Sequence, residues 1–268
     1  MSISSITVKP KNTSIHHTAE IDSSAEIADN VIIGPYAIIH PRVKIGKDCK
    51  IAAHVVIYPD TVLGEKNTVH SFACIGSDPQ VGHDKPKGQG SLKVGEGNTF
   101  HEFVTISRGC AGSETCIGNH NLFQAYTHVG HDCIINNHAI LVNNATLGGH
   151  VVVEDYAIVG AFTTVHQFCK IGESSITARG AKISNDIVPY IIVADNPPKP
   201  FGLNNVGLQR RGFSEEVRAK LKKAYKIIIR QRLTVEKIEE ALDELIKNCP
   251  EVEKMVTFLK NSDRGITR

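Results

Sequence analysis

The chain has 268 residues, a net charge of +2, 41% hydrophobic residues and only 6% aromatic residues. A charge this close to neutral argues against general nucleic-acid binding, and no apolar run approaches the roughly 20 residues that span a bilayer. The amino terminus lacks the basic start and apolar stretch of a secretory signal, and the seven cysteines include no Cys-x-x-Cys pair. We therefore expect a cytoplasmic protein with reduced thiols and without stable membrane insertion.

Isoleucine and leucine are distributed unevenly along the chain. Residues 1–200 contain 25 isoleucines and 5 leucines, whereas the remainder contains 6 and 7. Because a β-branched side chain has restricted χ1 rotation in a helix, this excess favours strands in the first part. The composition therefore predicts a strand-rich region followed by a structurally different tail.

An apolar residue recurs at every sixth position through most of the first part. The first run comprises Ile15, Ile21, Ile27, Ile33, Ile39, Ile45, Ile51, Ile57, Leu63, Val69 and Ile75. The spacing resumes at Val94, Phe100 and Ile106, and again at Ile117, Phe123, Val129, Ile135, Leu141, Leu147, Val153, Val159, Val165, Ile171 and, past a polar exception at Thr177, Ile183. A period of six is typical of a hexapeptide parallel β-helix, a triangular prism with one hexapeptide on each face and 18 residues in each coil.

The interruptions of this period predict the loops and the domain division. Residues 76–93 and 107–116 break the repeat and are expected to leave the prism as loops, which often carry function. The repeat ends near Pro189, so we predict a β-helix over 1–190 and a connector with a helical domain over 191–268.

The tail carries helix-start signals after the proline-rich connector. We expect helices from Ser214 to about Gln231, from Thr234 to about Asn248, and from Pro250 to about Asn261. Ser214 and Thr234 are suitable N-caps, and proline suits the first helical position because its missing N–H is not needed there.

Histidines cluster where the coil geometry brings distant residues together. Residues 18 apart lie on adjacent coils, about 4.8 Å apart, so His131, Gly149 and Gln167 form one column. The neighbouring side chains are His128, His150 and His166. The patch has three possible explanations: polar turn positions without chemistry, a zinc site whose imidazoles come from two subunits, or a general base.

The general-base interpretation assigns roles to three residues. His131 would remove a proton from a hydroxyl or amine nucleophile, because an imidazole titrates near neutral pH. Asp132 would orient that imidazole, and the Gly149 N–H would stabilise a developing oxyanion. No Gly-x-Ser-x-Gly motif is present, so a covalent intermediate is not required.

A basic run marks the beginning of the tail. Nine lysines and arginines lie between Arg210 and Arg232, against only two acidic residues. Such a run attracts an acidic protein or phosphate groups, although it also suits a solvated helical face balanced by the acidic segment 236–253.

Four motifs resemble those of the UDP-N-acetylglucosamine O-acyltransferases of lipid A biosynthesis, over nearly the whole chain. They are His128-Val-Gly-His131-Asp-Cys, Asn143-Asn-Ala-Thr-Leu-Gly-Gly-His150, Val165-His-Gln-Phe-Cys169 and Gly207-Leu-Gln-Arg-Arg-Gly-Phe213. The resemblance implies a left-handed β-helix, a cytoplasmic homotrimer with active sites between subunits, and transfer of a 3-hydroxyacyl group from acyl carrier protein to the sugar 3-position. It implies no metal and no bound cofactor, because the donor is carried on the phosphopantetheine of the carrier protein.

The resemblance also assigns individual residues. His131 would be the base, Asp132 its support and Gly149 the oxyanion donor, while His128, His150, His166 and Gln167 would hold substrate or product. Asn204, Arg210 and Arg211 would contact the nucleotide, its phosphates or phosphopantetheine, and the basic tail would face the acidic carrier protein. In the first loop, Gln80, Asp84 and Lys85 are the candidates for sugar contacts.

The chain departs from the family pattern at several of these places. The family usually has Gln-Asp-Leu-Lys in the first loop, whereas this chain has Pro79-Gln-Val-Gly-His-Asp-Lys85. Val206 and Pro197 replace a glutamate and a histidine that are common in the family. Arg179 stands where a glycine or bulky apolar residue often limits acyl length, so the acyl chain and the choice of a 3-hydroxyl or 3-amine acceptor stay open.

Other functions share parts of this pattern. The N-acyltransferase of the next lipid A acylation step is disfavoured, because its additional N-terminal uridine-binding domain has no counterpart before Ile15. A sugar acetyltransferase using acetyl-CoA, a trimeric β-helix zinc enzyme of the carbonic anhydrase type and a non-catalytic scaffold are the remaining alternatives.

Overall fold

The computed structural model describes residues 11–82 and 90–268. Very short strands follow one another through the first three quarters of the chain. In chain order they are β1 (Ser14–Ile15), β2 (Glu20–Ile21), β3 (Glu26–Ile27), β4 (Ile32–Ile33), β5 (Ile38–Ile39), β6 (Lys44–Ile45), β7 (Lys50–Ile51), β8 (Val56–Ile57), β9 (Thr61–Leu63), β10 (Thr68–Val69), β11 (Cys74–Ser77), β12 (Ser91–Val94), β13 (Thr99–Phe100), β14 (Thr105–Ser107), β15 (Glu114–Ile117), β16 (Leu122–Phe123), β17 (His128–Val129), β18 (Ile134–Ile135), β19 (Ile140–Leu141), β20 (Thr146–Leu147), β21 (Val152–Val153), β22 (Ile158–Val159), β23 (Thr164–Val165), β24 (Lys170–Ile171), β25 (Ile176–Thr177), β26 (Lys182–Ile183), β27 (Ile191–Ala194) and β28 (Lys199–Leu203).

These strands form the three faces of a prism. The first face runs from β1 through every third strand to β25, β27 and β28, the second from β2 to β26, and the third from β3 to β24. Paired residues on adjacent coils are 18 apart where no loop intervenes, as for Ser14 and Ile32, and the pairing is parallel throughout the repeats. The predicted parallel β-helix is confirmed.

The residues of the six-residue period fill the prism interior. From Ile33 onward they are at most 3% exposed, whereas Ile15, Ile21 and Ile27, in the first described coil, are only partly buried. Most turns place one residue in the left-handed region, such as Asn30, and this turn conformation lets the chain change direction after a hexapeptide. The interior is narrow, and its two large rings, Phe100 and Phe123, stack with centroids 4.8 Å apart.

Both loops are shorter than predicted because the strands beside them lengthen. β11 and β14 extend to Ser77 and Ser107, which pair with each other, so the first loop begins at residue 78. β12 begins at Ser91 and β15 at Glu114, and these residues also pair. The second excursion is therefore confined to residues 108–113.

Strand pairing continues beyond the predicted end of the repeat. β27 pairs in parallel with β25 and adds another rung to the first face, and β28 then turns back antiparallel to β27. The predicted division at residue 190 therefore falls inside a continuous sheet, and the assignment of separate domains stays a prediction.

The tail contains the helices α1 (Asn205–Arg210), α2 (Glu215–Tyr225), α3 (Val235–Asn248) and α4 (Pro250–Lys260). The predicted caps are confirmed, since Ser214 Oγ and Thr234 Oγ1 accept hydrogen bonds from the third following N–H groups and Pro250 opens α4. The first predicted helix ends differently: a π-helical segment, Lys226–Arg230, follows α2. Helix α1 was not predicted, because it is only six residues long. None of the described helices is long and apolar enough to cross a membrane.

Candidate active site

The predicted column lies at the corner that follows the second face. The His150 N–H donates to the His131 carbonyl over 2.9 Å, and the Phe168 N–H donates to the Gly149 carbonyl over 3.0 Å. These bonds connect the turns of three successive coils, so residues separated by 18 positions become neighbours. The His131 and His150 rings meet edge to face, with centroids 5.2 Å apart.

The imidazole of His131 is held by the carboxylate of the next residue. His131 Nδ1 lies 2.6 Å from Asp132 Oδ2, and these side chains are 17% and 6% exposed. An ionised carboxylate can only accept, so this hydrogen bond places the proton on Nδ1 and leaves the Nε2 lone pair available. An imidazole held in this way can act as a general base, with the carboxylate orienting it, and these roles of His131 and Asp132 stay predictions.

Residues of the second excursion and of the neighbouring strand β15 hold Asp132 in place. The Cys110 N–H donates to Asp132 Oδ1 over 3.2 Å, Ser113 Oγ donates to the same oxygen, and the Asp132 N–H donates to Thr115 Oγ1 over 2.8 Å. Burial acts to raise the pKa of Asp132, but the hydrogen bonds from Ser113, His131 and Cys110 outweigh it and leave the pKa below its usual value. The carboxylate of Asp132 is therefore ionised at neutral pH.

The thiol of Cys110 also contacts this pair. Cys110 Sγ lies 3.4 Å from His131 Nδ1. Burial and the neighbouring Asp132 carboxylate raise the pKa of the Cys110 thiol to about 11, so the sulfur is protonated at neutral pH. This thiol does not have the character of an activated nucleophile.

Gly149 gives His131 the space in which its ring lies. A Cβ at this position would lie 2.6 and 2.7 Å from His131 Cε1 and Nε2, closer than real Cβ contacts allow. Within the described part of the chain the Gly149 N–H donates no hydrogen bond, so it is available to a ligand. Glycine is thus required here for the ring, in addition to the donor role predicted for its backbone.

A groove of about 470 Å³ opens beside this column. The residues that line it are Gln80, Ser107, His128, Gly130, His131, Thr146, Leu147, Gly148, Gly149, Thr164, Val165, His166 and Gln167. His128 Nδ1 is 2.8 Å from Thr105 Oγ1, and burial lowers the pKa of His128, which favours a neutral imidazole. His166 Nδ1 lies 3.0 Å from the Gln167 carbonyl, so His166 can present its Nε2 to the groove.

Family models match two separate parts of the chain. Residues 24–59 and 42–77 match the bacterial transferase hexapeptide model of six repeats, and residues 186–267 match domain 2 of UDP N-acetylglucosamine O-acyltransferase. The acyl-[acyl-carrier-protein]–UDP-N-acetylglucosamine O-acyltransferase of Pseudomonas entomophila is 45% identical over 260 residues, 96% of this chain and 100% of the relative. The chain belongs to the UDP-N-acetylglucosamine O-acyltransferase family.

Solved structures of this family agree with the fold. LpxA from Acinetobacter baumannii is 37% identical with a TM-score of 0.92, covering 95% of this chain and 99% of that one. The UDP-N-acetylglucosamine O-acyltransferase of Moraxella catarrhalis is 35% identical with a TM-score of 0.91 and the same coverage. The predicted fold class, a left-handed parallel β-helix followed by helices, and the predicted acyltransferase class are therefore confirmed.

The residues that the family resemblance assigned are divided among several places. Gln80, His128, His131, Gly149, His166 and Gln167 line the groove, and Asp132 and His150 stand directly behind it, with His150 Nε2 3.6 Å from Asp132 Oδ2. Asp84 and Lys85 lie outside the described residues. Arg179 is an exposed turn residue that does not line this groove, so its assignment to the acyl pocket stays a prediction.

The predicted nucleotide contacts of the family lie in the tail, away from the groove lining of their own chain. Asn204 is buried, caps α1 through the Gly207 N–H and donates from Nδ2 to the Ser174 carbonyl over 2.9 Å. Arg211 pairs with Glu173 Oε1 at 2.9 Å and lies over the Tyr156 ring, 3.6 Å from its centroid. Arg210 is exposed. Their substrate roles stay predictions.

Several supporting residues of the site were not predicted. Thr105 was missed because 23 residues, not 18, separate it from its partner His128 on the next coil. Subtracting the five extra residues of the second excursion would have placed the two together. Cys110 and Ser113 lie inside that excursion, where the period no longer assigns positions, so only the expectation that ejected loops carry function pointed to them.

Two groups among the described residues bring three possible metal ligands within 4.8 Å of one another. One is Cys110, His131 and Asp132, and the other is His70, His101 and Glu102. Neither is the three-imidazole arrangement considered for a zinc enzyme. The sequence-based expectation that the reaction needs no metal stays an expectation.

Proposed function

We propose that this chain transfers a 3-hydroxyacyl group from acyl carrier protein to the 3-hydroxyl of UDP-N-acetylglucosamine, with His131 as general base. This reaction is the first step of lipid A biosynthesis, as in the family to which the chain belongs. The observation that carries the proposal is the His131–Asp132 hydrogen bond of 2.6 Å beside an open groove, which leaves His131 Nε2 free to accept a proton.

The proposed reaction proceeds in two proton transfers. His131 Nε2 removes the proton of the sugar hydroxyl while the oxygen bonds to the thioester carbonyl carbon, and the Gly149 N–H stabilises the oxyanion. The intermediate then breaks its C–S bond, and the imidazolium returns the proton to the leaving phosphopantetheine thiolate. Asp132 remains ionised throughout and stabilises the imidazolium.

The sugar contacts come from the groove wall. Gln80, His128, His166 and Gln167 line the groove and present polar groups to a carbohydrate. His150 lies beside Asp132 and stacks on Phe168, with centroids 4.6 Å apart, so its orientation is defined before substrate binds. Asp84 and Lys85 complete the sugar site in this proposal.

A homotrimer would bring the tail residues of one subunit to the groove of another. The groove within one chain lacks Asn204, Arg210 and Arg211, and one corner of the prism carries exposed stacked rings that favour burial against another subunit. These rings are Tyr36, His54, Phe72, Phe103 and Tyr126.

Since Arg211 is already paired with Glu173, we assign the phosphate contact chiefly to the exposed Arg210. Arg179 would then border the acyl chain.

The basic tail supports an acidic acyl donor. Lys222, Lys223, Lys226 and Arg230 are exposed and form no ion pair within the described residues. An uncompensated positive surface favours association with a negatively charged protein such as acyl carrier protein.

All seven cysteines are free, which supports a reducing, cytoplasmic location.

The test is to replace His131 with alanine and to measure products by mass spectrometry. The donors would be 3-hydroxyacyl carrier proteins of several chain lengths, and the acceptors UDP-N-acetylglucosamine and its 3-amino analogue. We expect the variant to lose activity by at least about 1,000-fold, because the base is gone. Undiminished transfer by a folded His131→Ala protein would overturn the assignment, and sedimentation analysis of both proteins tests the trimer.

A further inference from the structure

The second excursion places a sulfur ligand against the proposed catalytic pair. Cys110 Sγ is 3.4 Å from His131 Nδ1, which is itself 2.6 Å from Asp132 Oδ2. These thiol, imidazole and carboxylate atoms all lie within 4.8 Å of one another. The proposed mechanism uses the imidazole and the carboxylate but has no role for the thiol.

The spacing is close to that of a tetrahedral zinc site. With Zn–S of about 2.3 Å and Zn–N and Zn–O of about 2.1 Å, tetrahedral ligands are separated by about 3.6 Å for S to N and about 3.4 Å for N to O. The observed S–N separation needs almost no change, whereas Nδ1 and Oδ2 would have to move apart by about 0.8 Å. Rotation of the His131 and Asp132 side chains would have to provide this movement, and water would supply the fourth ligand.

We propose that Cys110 Sγ, His131 Nδ1 and Asp132 Oδ2 bind Zn²⁺ or a similar thiophilic divalent cation, and that the bound cation inhibits the enzyme. Binding releases the thiol proton and occupies the Nδ1 lone pair. The neutral imidazole then carries its proton on Nε2, which can no longer accept one from the substrate. The inhibition rests on the proposed function, whereas the binding of the cation does not.

The other three-ligand group provides a natural comparison. His70 and His101 stack with centroids 4.6 Å apart, and their Nδ1 atoms lie 3.6 and 3.5 Å from the Glu102 oxygens. All three side chains are more than a third exposed and none offers sulfur. A probe that reports metal–sulfur bonds therefore separates the Cys110 group from this one.

The binding test is a titration of the full-length protein with Cd²⁺, monitored by the ultraviolet charge-transfer band of the cadmium–thiolate bond. We expect one equivalent of Cd²⁺ for each chain to saturate the band, and Cys110→Ser to abolish it. Cys116→Ser is the matched control, because Cys116 Sγ also lies beside a carboxylate, 3.3 Å from Glu114 Oε1, but is not part of a three-ligand group. A band that survives Cys110→Ser, or one that requires Cys116, would overturn the site.

X-ray absorption of the wild-type zinc complex checks the ligands without any substitution. We expect one sulfur and three nitrogen or oxygen neighbours. A zinc shell without sulfur would contradict the assignment, whether or not the Cys110→Ser protein folds.

The inhibition test measures acyl transfer at increasing Zn²⁺, with each protein compared with its own zinc-free rate. We expect wild type and Cys116→Ser to be inhibited and to recover with a chelator, and Cys110→Ser to need at least about tenfold more zinc. Equal zinc sensitivity of the two variants would remove the inhibitory role. A protein that binds Cd²⁺ through Cys110 but transfers no acyl group would instead overturn the proposed function and leave the metal site standing.

Discussion

Two clusters in this protein are built around a shielded carboxylate, and their partners differ. Asp132 receives hydrogen bonds from the uncharged groups of Cys110 and Ser113 and from the imidazole of His131. Glu173 instead pairs with two cations, Arg211 and Lys254, where the tail meets the last coils. Neutral donors keep the negative charge of Asp132 available to a histidine that faces a groove, whereas cations compensate the charge of Glu173.

Burial of an acid does not by itself mark an active site. The side chains of Asp132 and Glu173 are 6% and 11% exposed, so exposure hardly distinguishes them. The distinguishing feature is whether a titratable partner retains a free atom that faces open space. His131 retains Nε2, and the Glu173 cluster instead fastens helices α1 and α4 to the end of the β-helix.

The largest expected difference comes from Asp132→Asn. We expect kcat to fall by about 1,000- to 10,000-fold with a small change in KM, because asparagine no longer selects the Nδ1–H tautomer or stabilises the imidazolium. Steady-state kinetics with UDP-N-acetylglucosamine and a saturating acyl donor measures this. A higher KM with an unchanged kcat would show that Asp132 binds substrate and does not support the base.

Gly149→Ala tests the space beneath His131. The added methyl would lie within 2.7 Å of the ring, so the imidazole must shift, and we expect a loss of about 100-fold in kcat. Gly202→Ala is the control, because a Cβ there meets nothing within 4 Å. Similar losses in both variants would mean that the effect does not come from contact with His131.

Glu173→Gln is expected to change stability and not chemistry. Losing the partner of Arg211 and Lys254 should lower the free energy of unfolding by about 2 kcal/mol, less than for a fully buried pair because Lys254 is 45% exposed. Urea unfolding measures the stability, and kcat per folded enzyme should change little. A kcat loss comparable to that of Asp132→Asn, with wild-type stability, would contradict the distinction between the two clusters.

Ser113→Ala should give the smallest effect, about tenfold in kcat. The hydroxyl positions Asp132 without touching substrate, so its loss should weaken the base, and Ser113→Thr should restore part of the rate. The acid limb of the kcat–pH profile should also move, which a purely structural role would not cause. Ser91→Ala is the matched control. The Ser91 hydroxyl also donates to a carboxylate, Glu114 Oε2, over 3.0 Å, but no histidine among the described residues is oriented by that carboxylate.

The period of six by itself determines most of the solenoid. Each hexapeptide is a local unit that repeats the same burial of one side chain and the same turn, so the positions of Ile33 or Val129 follow from sequence spacing. The 18-residue coil also placed His131, Gly149 and Gln167 together, because adjacent coils are in register. The division of the chain near residue 200 into strand-rich and helical parts followed from composition.

Only the tertiary structure decided what supports and completes the site. Cys110 and Ser113 reach Asp132 through a loop whose path has no period, and Arg211 reaches Glu173 across 38 residues of sequence. Such contacts depend on how irregular segments fold back on the regular coils, which no local pattern encodes. The sequence therefore determined the scaffold and the column of His131, Gly149 and Gln167, because both follow the repeat, and the tertiary structure determined the partners of Asp132, because they do not.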